Sequence, residues 1–409
     1  MNLLAGSRRD FEKAIDPEYE TETSIVLRYR NAFRFGLTPE EDSKYKKWLE
    51  KTSIREGARI FPLLAYQGVE IFILDETSFM HTKTLKSIDG CITIAKCKLN
   101  GYERVVFESG GNTGTALTQY GIREGLETFM FVPGENLSLL NSRIFESDKA
   151  HLFSVEKPDL VKKAAHYFVT QNGLTHIPER DWRYEASMFR GSFILERLLK
   201  KDDFDWLTQT VSAAFGPIGI YRVLKGFEKE IGQLPRFLGI QQESNSPLFT
   251  GWKKGEKDTE PGETNSTNEL LTKVMYDSHP QTYGTFEEFR NILSATGGDL
   301  TTVNRQEFTR FLEKTYAGKN ILDLLKEQGI DITVRGGEVI EKTGLISLAG
   351  TLKEIERGRI AEGSKVLCCL TSGVSEADGK AKPELRISTL DDLTEILNKI
   401  PWPNYVREG

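Results

Sequence analysis

Cysteine is scarce in this chain: Cys91, Cys97, Cys368 and Cys369 are the four among 409 residues. They show no zinc spacing and the last two are adjacent, which excludes a disulfide framework and predicts reduced core thiols in a cytosolic protein. Histidine is as sparse. His81, His151, His166, His176 and His279 are scattered singly without paired ligand spacing, so no metal centre is predicted. Long apolar runs are lacking too, and none approaches the length that spans a bilayer. The N-terminal segment turns charged at Arg8-Arg9 and has no signal-peptide core. A soluble, cytoplasmic protein with no membrane partner is expected. Excess positive charge is also missing. With 54 basic and 60 acidic side chains the formal charge is −6, which argues against nucleic-acid binding through bulk charge. A small anionic substrate needs only a local basic patch.

What is present is the composition of a globular protein: 38% hydrophobic and 28% charged residues, enough to bury a large core without staples. At about 150 residues per domain the length allows two to three domains. A charged N-terminal stretch with a helix near Pro39–Lys51 gives way, after Gly68, to strand–helix alternation. Strands are expected at Val69–Leu74, Arg104–Glu108, Thr128–Val132, Leu152–Val155, Leu207–Ala213, Phe237–Gln242 and Val366–Leu370. Helices are expected at Leu85–Lys98, Ala116–Arg123, Pro158–Gln171, Tyr221–Ile231 and Leu345–Glu356, with a helix start near Asn141–Ser147. This alternation predicts an α/β fold of parallel sheets flanked by helices. Gly255–Asn268 carries no hydrophobic residue and reads as a surface loop.

Four segments could carry chemistry. Glu108-Ser-Gly-Gly-Asn-Thr-Gly-Thr115 follows a strand and opens a helix, which suits a carboxylate or phosphate at the positive helix end. Its spacing is neither that of a Walker A loop nor that of a dinucleotide fingerprint. Ser212-Ala-Ala-Phe-Gly-Pro-Ile-Gly-Ile220 has the same logic and no lysine or arginine, so an anion there is expected to be held by N–H dipoles alone. Pro217 removes one of those donors. His81-Thr-Lys-Thr-Leu-Lys-Ser-Ile-Asp-Gly90 places Lys83 and Lys86 at a helix start, where the dipole opposes a cation and a desolvated lysine can form a Schiff base. Cys368-Cys-Leu-Thr-Ser-Gly373 ends a buried strand in two hydroxyls, at the end of a parallel strand that faces ligands. Each segment alone also has an ordinary structural reading: a βα turn, a solvated lysine pair, or a hydroxyl bonded to turn backbone.

In this order the four segments resemble the fold-type II pyridoxal-phosphate enzymes, and most nearly the threonine synthases and their relatives. The family's Asn-Pro-Thr-Gly-Ser-Phe-Lys-Asp-Arg run matches Met80-His-Thr-Lys-Thr-Leu-Lys86, which implies that Lys86 is the Schiff-base lysine. The family's Thr/Ser-Ser-Gly-Asn-Thr loop matches Ser109-Gly-Gly-Asn-Thr113. On that match Asn112 contacts the ring hydroxyl of the cofactor, and Ser109, Gly110, Gly111 and Thr113 cradle the substrate carboxylate. The phosphate loop matches Ala213–Gly219, implying Ala214, Phe215, Gly216, Pro217, Ile218 and Gly219 as cofactor-binding residues. Thr371 is implied as the partner of the pyridine nitrogen. Two further likenesses lie at Leu238–Pro247 and Glu341–Gly350. The sequence departs from the family in having Lys83 where glycine is usual, Ser87-Ile88-Asp89 after the lysine, Gly110 where serine is common, and no zinc-ribbon-like start. Lys83, a cation in place of glycine, is expected to reach the distal group of an anionic substrate.

The resemblance implies a large cofactor-binding domain from residues 61–100 and 191–409 with an N-terminal extension, 1–60, packed on it. A smaller mobile α/β domain, 101–190, is implied to close over a site in the interdomain cleft. It also implies a homodimer and replacement or elimination at Cβ or Cγ of an amino acid such as O-phosphohomoserine or O-phosphoserine. A cysteate-synthase-like or other β-replacement enzyme and a serine or threonine dehydratase are the enzymatic alternatives. A catalytically degenerate relative that binds cofactor or amino acid is the alternative of another class.

Overall fold

The computed structural model describes residues 2–3, 7–174, 179–259, 269–277, 280–316 and 318–397. His176, His279, most of the Gly255–Asn268 loop and the last residues of the chain lie outside these. Ten strands form two sheets among the described residues: β1 (Arg59–Tyr66), β2 (Val69–Asp75), β3 (Arg104–Glu108), β4 (Glu127–Pro133), β5 (Ala150–Val155), β6 (Trp206–Thr210), β7 (Arg236–Gln242), β8 (Asp299–Val303), β9 (Lys365–Leu370) and β10 (Leu385–Ile387). The helices that bear on the site are α1 (Pro39–Thr52), α2 (Lys86–Leu99), α3 (Asn112–Arg123), α4 (Val161–Gln171), α5 (Glu179–Leu199), α6 (Phe215–Gly226) and α7 (Thr343–Glu356).

The chain divides into two compact units. The first comprises residues 1–101 and 178–375, and the second comprises 102–177 and 376–409. The first is built on the six-stranded sheet, in the order β8-β7-β6-β9-β2-β1. All its neighbours run parallel except β1, which pairs antiparallel with β2. The sequence reading missed β1 because Pro62 interrupts it, and proline cannot donate to a ladder. The strand survives as an edge, with its register shifting between Pro62 and Leu64. The core joins Val69, Ile71, Ile73, Leu238, Ile240, Val366, Cys368 and Leu370 of the strands to Leu345, Ile346, Leu348 and Leu352 of α7. All four cysteines are buried and free, and burial pushes the Cys97 thiol up to about 12. At neutral pH such a thiol behaves as an apolar filler.

Helix α5 was also absent from the sequence reading. Its residue Gly191 permits a close crossing with α6, because a Cβ there would lie 2.9 Å from the Ile220 carbonyl oxygen. Helix α1 opens with a capping box between Thr38 and Glu41, and Tyr45 from its buried face donates to Glu185 of α5 at 2.8 Å.

The second unit holds the four-stranded parallel sheet, in the order β10-β5-β4-β3. Phe129, Phe131 and Phe153 of the sheet pack against Val161, Ala164, Ala165 and Phe168 of α4. Strand β10 pairs with β5, so residues 376–397 belong to this unit, whereas residues 191–409 were expected in the large domain. Where a helix start was expected near Asn141–Ser147, a short 3₁₀ turn forms at Ser142–Glu146. No described helix is long and apolar enough to cross a membrane.

His151 ties β10 to this sheet. Its ring stacks on Phe129, with Nδ1 3.0 Å from Glu384 Oε1 and Nε2 3.2 Å from Glu127 Oε1. Burial pulls its pKa down, but the two carboxylates outweigh that and hold it above the ordinary histidine value. A raised folded-state pKa stabilises fully below the unfolded value, about 6.5, and the gain is lost as pH rises through the folded value. Thermal unfolding midpoints are therefore expected to fall from about pH 6.5 upward, and His151→Gln is expected to flatten that slope. Parallel wild-type and variant profiles would discard this role.

Candidate active site

The register of the large sheet places three sequence-distant segments at one edge. Parallel strands β2, β9 and β6 are neighbours, with Leu370 opposite Asp75 and Cys368 opposite Thr208. Their carboxyl ends therefore lie side by side, the edge at which parallel sheets bind ligands. The segment carrying Lys83 and Lys86 follows β2, Thr371-Ser372 follows β9, and the glycine-rich turn follows β6.

Lys86 is the first residue of α2, as its motif predicted. Thr84 Oγ1 accepts from the Lys86 N–H at 3.2 Å, and Thr82 and Ser87 bond through their hydroxyls at 2.9 Å. This small network fixes the helix start, and the Leu85 N–H donates to the Thr371 carbonyl at 3.0 Å, tying it to the end of β9. The Lys86 amine lies 3.1 Å from the Asp89 carboxylate, whose side chain is 5% exposed. The sequence reading had not singled out Asp89 as a site residue, although its spacing three residues along a helix puts it on the lysine's face.

Lys83, where the family pattern has glycine, has a φ of 60°, in the left-handed region that glycine favours. Its side chain is half-buried and makes no hydrogen bond or ion pair with any described residue.

The glycine-rich segment differs from expectation in where the helix begins. Helix α6 starts at Phe215, six residues before the expected Tyr221, with Ala214 capping it in a left-handed conformation, φ 58°. Pro217 falls in the first turn, where a missing N–H costs no helical bond. Ile218 N–H donates to the Ala214 carbonyl at 3.2 Å. Gly219 faces α5, where a Cβ would lie 2.7 Å from the Tyr184 carbonyl oxygen. The open end of the helix therefore belongs to Ala214, Phe215 and Gly216. A Cβ on Gly216 would lie 2.6 Å from Gln209 Nε2 and 2.8 Å from Arg190 Nη1. The turn has no cation of its own, and the Arg190 guanidinium of α5 lies beside it. Arg190 and Glu76 form an ion pair that is 1% exposed on both sides. Burial pushes the Glu76 carboxyl up while the guanidinium opposes that shift.

Ser109, Gly110, Gly111, Asn112 and Thr113 are carried by the second unit, between β3 and α3. Ser109 Oγ accepts from the N–H groups of Gly111 (3.1 Å) and Gly114 (2.8 Å), and Gly111 has φ 151°. Asn136 donates to the Gly110 carbonyl at 2.7 Å. The Ser109 hydroxyl thus shapes the loop, and Asn112 opens the helix.

The fold is that of the fold-type II pyridoxal-phosphate enzymes. Within that class its sequence is similar to threonine and cysteate synthases. The threonine synthase of Bacillus sp. (strain ULM1) is 23% identical over 365 residues, covering 86% of this chain and 92% of that protein. The cysteate synthase of Methanosarcina barkeri is 22% identical over 326 residues, covering 75% and 72%. No protein-family model matches the chain. Among solved structures, the processed threonine deaminase isoform 2 of Solanum lycopersicum superposes with a TM-score of 0.57 at 13% identity, covering 89% of each chain. O-acetylserine sulfhydrylase isoform 3 of Entamoeba histolytica superposes with 0.56 at 15% identity, covering 80% of this chain and 88% of that one.

The residues of the first unit fit the cofactor of that class. A phosphate needs a helix end without side chains, and Gly216 provides one. The ring and its substituents need polar partners, and buried hydroxyls of Thr77, Ser78, Thr343 and Ser372 have no hydrogen-bond partner among the described residues. Native proteins leave few such groups unpaired. The Ser372 hydroxyl stands beside the expected Thr371 at the end of β9, and both residues are buried.

Proposed function

We propose that this chain catalyses replacement or elimination at Cβ or Cγ of an amino acid with an anionic leaving group, of the O-phosphohomoserine or O-phosphoserine type. The observation carrying this reading is the meeting of Lys86, Thr371-Ser372 and the Gly216 helix end at the carboxyl edge of three adjacent strands. The chain is a pyridoxal-phosphate-dependent enzyme. When bound, the cofactor supplies an electron sink for charge developed at Cα of an amino acid. In this reading Lys86 holds the cofactor, and its amine moves the Cα proton as general base. Ala214, Phe215 and Gly216 present N–H groups to the phosphate. The hydroxyls of Thr371 and Ser372 serve the pyridine nitrogen. Asn112 serves the ring hydroxyl, and Ser109, Gly110, Gly111 and Thr113 the substrate carboxylate. Similarity to both threonine and cysteate synthases supports the replacement class.

The test is release of inorganic phosphate from O-phosphohomoserine and O-phosphoserine by the holoenzyme. Phosphate released from one of them supports the reading. Release from neither, with oxo acid and ammonia formed from serine or threonine, would replace it with dehydration. No turnover of any amino acid would leave a binding protein.

Lys83 decides the anionic part. It is a cation three residues before Lys86 with no side-chain partner among the described residues, and in this reading it meets the leaving group. Lys83→Gly suits the left-handed backbone and removes the amine. It is expected to raise KM for the phosphorylated substrate by about tenfold while kcat changes little. An unchanged KM would discard the role.

A further inference from the structure

We infer that Arg190 is a phosphate-binding residue, reaching the helix end at Gly216 from a separate helix. The inference rests on the cofactor reading above. Arg190 is 1% exposed, and two of its three nitrogens are committed: Nε and Nη2 to the two Glu76 oxygens, with Nη2 also donating to Gln209 Oε1 at 2.8 Å. The third, Nη1, is buried without a hydrogen-bond partner among the described residues and lies 2.8 Å from where a Gly216 side chain would begin. Gln209 Nε2 approaches the same point at 2.6 Å. The Cys369 thiol and the Asp89 carboxylate also face the guanidinium.

Two features of this arrangement are unfavourable without an anion. A buried guanidinium N–H is left unpaired, and a cation stands beside the positive end of α6. Glu76 balances the charge but is engaged on the far arms of the fork, so it leaves Nη1 free. An anion seated on the N–H groups of Phe215 and Gly216 relieves both at once, because Cα–Cβ directions in a helix tilt toward its N-terminus and Nη1 lies along that direction. Glycine at 216 is what lets the guanidinium come so close. A phosphate loop that contains no lysine or arginine thereby acquires a charge-assisted donor from 26 positions upstream in the sequence.

The decisive measurement compares binding of pyridoxal 5'-phosphate with that of pyridoxal, which lacks the phosphate, to cofactor-stripped protein by absorbance titration. Removing Arg190 alone would strand the Glu76 charge, so the variant is the double substitution Glu76→Gln with Arg190→Gln, with thermal unfolding checked in parallel. The phosphorylated ligand is expected to lose affinity by about tenfold or more, while pyridoxal binds as before. Equal losses for both ligands, or no loss, would overturn the role of Arg190. If the double variant does not fold, Arg190→Lys reads the same quantity, since lysine can pair with Glu76 but has no second arm for the loop. A wild-type protein that binds neither ligand would overturn the cofactor reading and the inference with it.

Discussion

Lys86→Ala is expected to abolish the visible absorbance of the cofactor-loaded protein and to lower turnover by about 10²–10⁴-fold, the contribution of a positioned general base. The residue stands first in α2, a position alanine fills well, so the helix itself should persist. The Asp89 carboxylate loses its partner in the variant, and a lower unfolding midpoint of the cofactor-free protein is expected for that reason. Absorbance and stability therefore report different things here, and absorbance is the one to read. A band that survives in Lys86→Ala and disappears in Lys83→Ala would transfer the role to Lys83. A wild type without any band after addition of pyridoxal phosphate would remove the enzyme reading.

Gly216→Ala is the second large effect, and its sign runs against helix propensity. Glycine inside a helix is ordinarily less favourable than alanine by about 0.5–1 kcal/mol, so a neutral site would gain stability. At Gly216 the new methyl would press on Gln209 Nε2 and Arg190 Nη1, 2.6 and 2.8 Å away, and both belong to a buried network with Glu76. Overpacking of this kind costs about 1–3 kcal/mol. A lower unfolding midpoint is expected, together with cofactor affinity weakened by about tenfold or more. Titration of the cofactor-stripped variant, paired with thermal unfolding, checks both. A higher midpoint with unchanged affinity would show that the space beside Gly216 is open.

Much of this site is legible in the chain because its determinants are local. Thr82, Thr84 and Ser87 bond to one another and to backbone within a few positions of Lys86, so the lysine's place at a helix start is a local matter. The order of strand, glycine-rich turn and helix, repeated at Ser109–Thr113 and Ala213–Gly219, announces parallel sheets with open helix ends. The left-handed backbone at Lys83 had no signal of its own, since lysine rarely adopts it. Period-two and period-3.6 patterns report which face of an element is apolar, and that sufficed for the α/β class.

Other features had no local signal. Pro62 hid strand β1, whose position at the sheet edge alone makes proline tolerable. Helix α6 began within the glycine-rich segment because Ala214 adopts a left-handed cap and Pro217 falls in the first turn, where it is harmless. Strand β10 joined the second unit through its pairing with β5, a choice made by the partner strand. Arg190 and Glu76 stand 114 positions apart, and nothing near either of them announces the other. By itself the sequence determined the strand–helix alternation, the order of the motifs and the candidate lysine, because these depend on residues within a few positions of one another. Only the tertiary structure decided which distant charges meet at the glycine-rich turn, because a buried ion pair forms where packing closes around it.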